Sequence, residues 1–99
     1  MAETPVLDLL AAMTAASVEV SNLEPKELML VRIAALAAVD APPISYATNI
    51  EAAASVGIDA DTVTGILAAI APIVGAPRVA SATGKLVEGL AIELEDFDS

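Results

Sequence analysis

The chain of 99 residues carries 14 acidic and 4 basic side chains, a net charge of −10, and is 57% apolar with neither Cys nor His. That charge excludes nucleic acid and anionic membrane surfaces as partners, because both are bound through clustered Lys and Arg. The missing residue types exclude disulfides, thiolate nucleophiles, imidazole metal sites and His general bases.

The length predicts one domain, residues 1–99. The apolar content exceeds the ~45–50% usual for globular chains and must be buried somewhere. The longest uncharged stretch, Thr62 to Pro77, contains Gly65, Pro72 and Gly75. It falls short of the roughly 20 apolar residues a spanning helix needs. Contacts between copies are the expected destination. Met1-Ala2-Glu3-Thr4-Pro5 lacks the basic and apolar regions of a secretory signal, so a cytoplasmic location is expected. No cofactor and no metal are expected.

Five helices are predicted. In the first, Thr4 is the N-cap and Pro5 takes the first helical position. Val6, Leu10 and Met13 mark one face, Leu7 and Leu9 widen it, and Val18 lies near the end, before Ser21-Asn22 breaks the pattern. The second helix opens at Glu24-Pro25-Lys26-Glu27 and runs to about Val39. Leu28, Val31, Ala35 and Leu36 mark one side, but Leu30, Ile33, Ala34 and Ala37 make it apolar nearly all round, the pattern of a central helix.

Asp40-Ala41-Pro42-Pro43 stops it, since a residue before Pro is pushed out of the α region. The third helix starts near Pro43 and ends before Gly57, a left-handed cap. Asp59 caps the fourth, with Asp61 in its first turn. Val63, Ile66, Leu67, Ile70 and Val74 repeat there at helical spacing, and Pro72 is expected to kink or end the helix. After Gly75-Ala76-Pro77 a fifth helix buries Val79, Ala82, Leu86, Val87, Leu90 and Leu94, and the acidic tail, residues 93–99, is expected to fray. No strand-like alternation is sustained. The fold class is all-α.

The order Leu23-Glu24-Pro25-Lys26, a Pro-rich turn, a helix ending at Gly57, Asp59, then Gly75-Ala76-Pro77 and an Ala-rich helix resembles the carboxymuconolactone decarboxylase family, which includes the alkylhydroperoxidase D-like (AhpD-like) proteins. The resemblance covers about residues 23–90. It implies a helical subunit in an obligate homo-oligomer, a trimer or hexamer. Redox members carry Cys-x-x-Cys-x-x-His on the third helix, the His eight residues before the Gly. Here Asn49 holds the His position, and Pro43 and Tyr46 the two Cys positions. Met29 is the nearest counterpart of the family's relay Glu. Decarboxylase members keep the His, and Asn49 does not titrate near neutrality, so acid–base work by that side chain is lost as well. The resemblance therefore implies scaffold and assembly without the family's chemistry, and no catalytic residue is assigned.

Tyr46 and Asn49, three apart, share a helix face, with Ser45 and Thr48 beside them. The resemblance places this face on a small cavity. Tyr46, Asn49 and Ser45 are accordingly candidate ligand-binding residues for a small apolar or acidic molecule. The competing reading has Tyr46 filling the old site and Asn49 bonding locally. Arg32, the single charge inside the second helix, is either a ligand-facing anion clamp or, preferably, half of a salt bridge to Glu51 or to an acid of another subunit. Arg78 stands at a helix start that disfavours a cation and is expected on the surface or at a subunit contact.

Two functions follow: a non-catalytic oligomeric binding or interaction module, and, as the alternative, a cofactor-free lyase or isomerase acting on a small organic acid. A filled, dry interior would favour the first, a titratable group of perturbed pKa in a cavity the second.

Overall fold

The computed structural model describes the backbone of residues 4–98 and the side chains of residues 4–91. It contains α1 (Pro5–Ser21), α2 (Pro25–Ala38), α3 (Pro43–Ser55), α4 (Ala60–Val74) and α5 (Ala76–Asp98), and no strand among the described residues. No single described helix is long and apolar enough to cross a membrane; α3 and α4 together reach that length, but with a 120° bend between them.

Helix boundaries follow local chemistry. Pro5, Pro25 and Pro43 each open a helix, where the missing N–H leaves no bond unmade. At α2 the Glu24 N–H donates to Glu27 Oε1 at 3.1 Å, half of a reciprocal capping box. The stop after α2 comes before the prolines. Asp40 adopts φ 57°, its N–H donates to the Ala37 carbonyl, and the Ala41 N–H donates to the Leu36 carbonyl at 2.9 Å. This is a Schellman closure, with Asp where Gly is usual. The same closure ends α3, with Gly57 at φ 87° and the Ile58 N–H on the Ala53 carbonyl. Asp59 then caps α4, accepting from the Thr62 N–H at 2.9 Å and the Thr62 hydroxyl at 2.8 Å. Pro72 does not end α4 at once; the helix runs on to Val74 and stops at Gly75.

The body is formed by α2 to α5, with α3 against α5 the most extensive contact. One buried cluster joins Met29, Ile33, Ala53, Ile58 and Ile66; a second joins Ala37, Ala41, Tyr46, Leu67 and Ala82. The expected α4 stripe is found, with Ile66 and Leu67 buried and Val63, Ile70 and Val74 half-buried. In α5, Ala82 is buried and Val79 and Leu86 are half-buried, but Val87 and Leu90 are exposed. The Leu94 side chain lies outside the described residues. The tail continues α5 to Asp98 rather than unwinding from residue 93.

Two expectations are corrected. The stripe of α2 that enters the core is Leu28, Met29, Ile33 and Ala37, whereas Val31 and Ala35 face outward. An all-round apolar helix gives no clue to which side its neighbours take. The face of α1 does not enter the core: no residue of α1 is buried, and Val6, Leu10 and Met13 are exposed.

Candidate functional site: an apolar cavity walled by the third helix

An open cavity of about 290 Å³ lies between the two buried clusters. Ile33, Ala53 and Ile58 of the first cluster and Tyr46 of the second line it, together with Leu36, Asn49, Ile50, Val63 and Leu86. Its surface is almost wholly apolar; the polar lining residues are Tyr46, Asn49 and Asp59.

Two of these polar groups are bonded locally and the third is buried. Tyr46 is 1% exposed, and its hydroxyl is buried with no hydrogen-bond partner among the described residues. With the whole residue nearly inaccessible, Tyr46 closes the cavity wall without offering its hydroxyl to the space. Burial, with the Asp40 charge adding to it, pushes the phenol pKa above its ordinary value. Asn49 Nδ2 donates to the Ser45 carbonyl at 2.7 Å, one turn back on α3. Asp59 is held by its cap: the Thr62 backbone N–H, then the Thr62 hydroxyl, keep its carboxyl below the usual range. A carboxylate stabilised in its charged form is a poor proton acceptor.

Of the four residues singled out in the sequence, Tyr46 and Asn49 come together on the cavity wall. Ser45 meets Asn49 through its backbone carbonyl, and its side chain is not on the wall. Arg32 lies outside the cavity, in a neighbouring groove of about 470 Å³ between α1, α2 and α3. Leu36 and Asn49 border both spaces. The expected Arg32–Glu51 pair is not made. Arg32 Nη2 donates to the Thr14 carbonyl of α1 at 3.3 Å instead, and no described carboxylate of the chain pairs with it.

A polar cluster that sequence reading missed clamps α2 to α5. Asp40 Oδ1 accepts from Ser81 Oγ at 2.7 Å and from Lys85 Nζ at 3.0 Å. These bonds, Ser81 first, hold the Asp40 carboxyl below its ordinary range. Arg78 Nη1 donates to the Ala38 carbonyl, so a cation misplaced for its own helix N-terminus serves the C-terminal end of α2. Nothing in local sequence links positions forty residues apart.

Gly89 was also missed. A Cβ there would meet the Pro43 carbonyl oxygen at 2.8 Å, Tyr46 Cβ at 2.9 Å and Ala47 N at 3.1 Å. Its bare Cα lets α5 lie directly on α3 at the level of Tyr46.

The model of the carboxymuconolactone decarboxylase family matches residues 4–88, from the start of α1 into α5. The chain belongs to this family. The match takes in α1, beyond the stretch from residue 23 on which the sequence resemblance rested. No curated protein and no solved structure matches the chain significantly. In this carboxymuconolactone decarboxylase family member, Pro43, Tyr46 and Asn49 lie along α3, with Tyr46 packed into the core and Asn49 bonded to its own helix.

Proposed function

We propose that this carboxymuconolactone decarboxylase family member is a non-catalytic binding module that holds a small, neutral, apolar molecule in the cavity between α2, α3, α4 and α5. The observation that carries this reading is the cavity itself: about 290 Å³ of open, almost wholly apolar space whose three polar residues are a buried phenol, a locally bonded amide and a helix cap. Such a surface stabilises a ligand by burying apolar area, at roughly 25 cal/mol per Å², and offers no group placed to move a proton.

An acidic ligand fits less well. Arg32 is outside the cavity and occupied by Thr14, and a net charge of −10 opposes an anion. Tyr46, Asn49, Leu36 and Val63 are the proposed contacts, with Arg32 and the Ser45 side chain outside the contact set. The working form in this reading is an assembly of several copies, a trimer or hexamer as the family resemblance implies, in the cytoplasm.

Titration of the isotope-labelled protein with a neutral aromatic hydrocarbon, followed by NMR, tests the reading. Shifts concentrated at Ile50, Ala53, Val63 and Leu86 are expected. Shifts confined to the exposed residues of α1, or none at saturation, would contradict it.

A further inference from the structure

We propose that Asp40 is a positioning residue of the apolar cavity: through Ser81 and Lys85 it fixes the rotation of α5 about its own axis, and so holds Leu86 in place as part of the cavity wall. The proposal rests on the ligand reading above and names what sets the shape of that site.

Three residues of α5 line the cavity, Leu86, Val87 and Leu90, and the last two are exposed, which puts this helix at the mouth. Among the described side chains of α5, the buried residues are Ala82 and Gly89. One carries a single methyl group and the other no side chain. Packed helices keep their relative orientation by seating side-chain ridges in facing grooves, and neither residue supplies a ridge. Gly89 brings α5 onto the backbone of α3 at Pro43 and Ala47. That contact sets the distance between the helices and does little to fix rotation.

Rotation is fixed by polar groups. Arg78, Ser81 and Lys85 follow one another at spacings of three and four and share one face of α5. All three bond the end of α2: Arg78 donates to the Ala38 carbonyl, and Ser81 and Lys85 donate to the same Asp40 oxygen at 2.7 and 3.0 Å. Asp40 stands at φ 57° inside the hydrogen-bonded closure of α2, so its carboxylate projects from a turn rather than from a loose end. An α-helix advances by about 100° per residue. With Lys85 held on α2, the direction of Leu86, the next residue, follows. The ion pair is partly open to water, 30% for Lys85 and 39% for Asp40, so salt screens it. A neutral ligand has no charge to screen. A fall of its affinity with salt therefore reports the clamp.

The chain has no Cys, so Leu86→Cys places a single thiol on the cavity wall. Its rate of maleimide labelling is measured without ligand, from about 0.05 to about 1 M sodium chloride. The same is done after adding Asp40→Asn, Lys85→Met, or both, at equal helical circular dichroism. Asn tolerates the left-handed turn and can still accept from Ser81, so Asp40→Asn removes the charge alone. Labelling about two- to five-fold faster in either added variant, with no further gain in the double, is expected. The rate should rise with salt while Asp40 and Lys85 are present and stay flat without them. With Leu86 restored, affinity for a neutral naphthalene-type probe should fall by a similar factor in Asp40→Asn. Labelling unchanged by either substitution, effects that multiply in the double, or a parent rate flat in salt would overturn the proposal. Labelling that responds as expected while the wild type shows no saturable probe binding would support the clamp and sink the ligand reading alone.

Discussion

Gly89 of α5 lies so close to Tyr46 of α3 that a methyl group on its Cα would stand 2.9 Å from the Tyr46 Cβ. The other two atoms it would meet, the Pro43 carbonyl oxygen at 2.8 Å and Ala47 N at 3.1 Å, are backbone and cannot rotate away. Gly89→Ala should therefore destabilise by about 1–3 kcal/mol through overpacking, despite the better helix propensity of Ala. Denaturant unfolding measures it. The control is Gly84→Ala, where nothing lies within 4 Å, and this change should stabilise by about 0.5–1 kcal/mol.

The Tyr46 hydroxyl is the buried polar side-chain group without a partner among the described residues. Removing a hydroxyl that makes no bond releases its desolvation cost while the ring keeps its packing. Tyr46→Phe is thus expected to be neutral or to stabilise by up to about 1 kcal/mol. A loss larger than that in thermal unfolding would mean the hydroxyl is bonded in solution.

Acid should unfold the protein partly through Asp40 and Asp59. Both carboxyls are held below their ordinary pKa, Asp40 by Ser81 and Lys85 and Asp59 by Thr62. A depressed folded value means that their stabilising contribution is present above the unfolded value of about 3.9 and is lost as pH falls through the folded one. Melting temperature should hold on the neutral side and fall below about pH 4. Asp59→Asn keeps a good cap but cannot titrate, so its acid limb should be shallower than that of the wild type. Asp59→Ala should lower the melting temperature at neutral pH as well.

Asn49 makes its hydrogen bond within α3, to the Ser45 carbonyl. Asn49→Ala should therefore change stability by less than about 1 kcal/mol and leave hydrocarbon affinity within a few-fold of the wild type. Thermal unfolding and calorimetric titration of the variant check the two, and a large loss of affinity at unchanged stability would mean that the Asn49 amide, rather than apolar burial, holds the ligand.

Much of the fold is legible because it is written locally. Pro25 and Pro43 open helices, Gly57 and Asp59 close one and cap the next, and the α4 repeat points Ile66 and Leu67 inward. Each of these signals lies within one or two turns. What fails to show is tertiary. The stripe of α1 reads like any core-facing stripe, and only the packing reveals that this chain leaves it uncovered. Arg32 on Thr14, Arg78 on Ala38 and Asp40 on Ser81 and Lys85 join elements far apart in sequence, where residue type constrains the partner's chemistry but not its identity. Gly89 looks like a weak point in a helix until Pro43 and Tyr46 are placed beside it. The α3 residues Tyr46 and Asn49 could be picked out as a shared face, but the burial of the hydroxyl and the apolar character of the space beside it come from four helices together.

The central claim is that the cavity takes a small, neutral, apolar molecule, and one comparison tests it most directly. Ala54 lines the cavity yet is exposed, so Ala54→Trp should place an indole across the space without opening the core. Affinity for a neutral naphthalene-type probe is measured by fluorescence for the wild type and for Ala54→Trp, at equal helical content. Saturable binding by the wild type, weakened at least ten-fold in Ala54→Trp, is the predicted result. Equal affinity of the two proteins, or no saturable binding by the wild type, would contradict it.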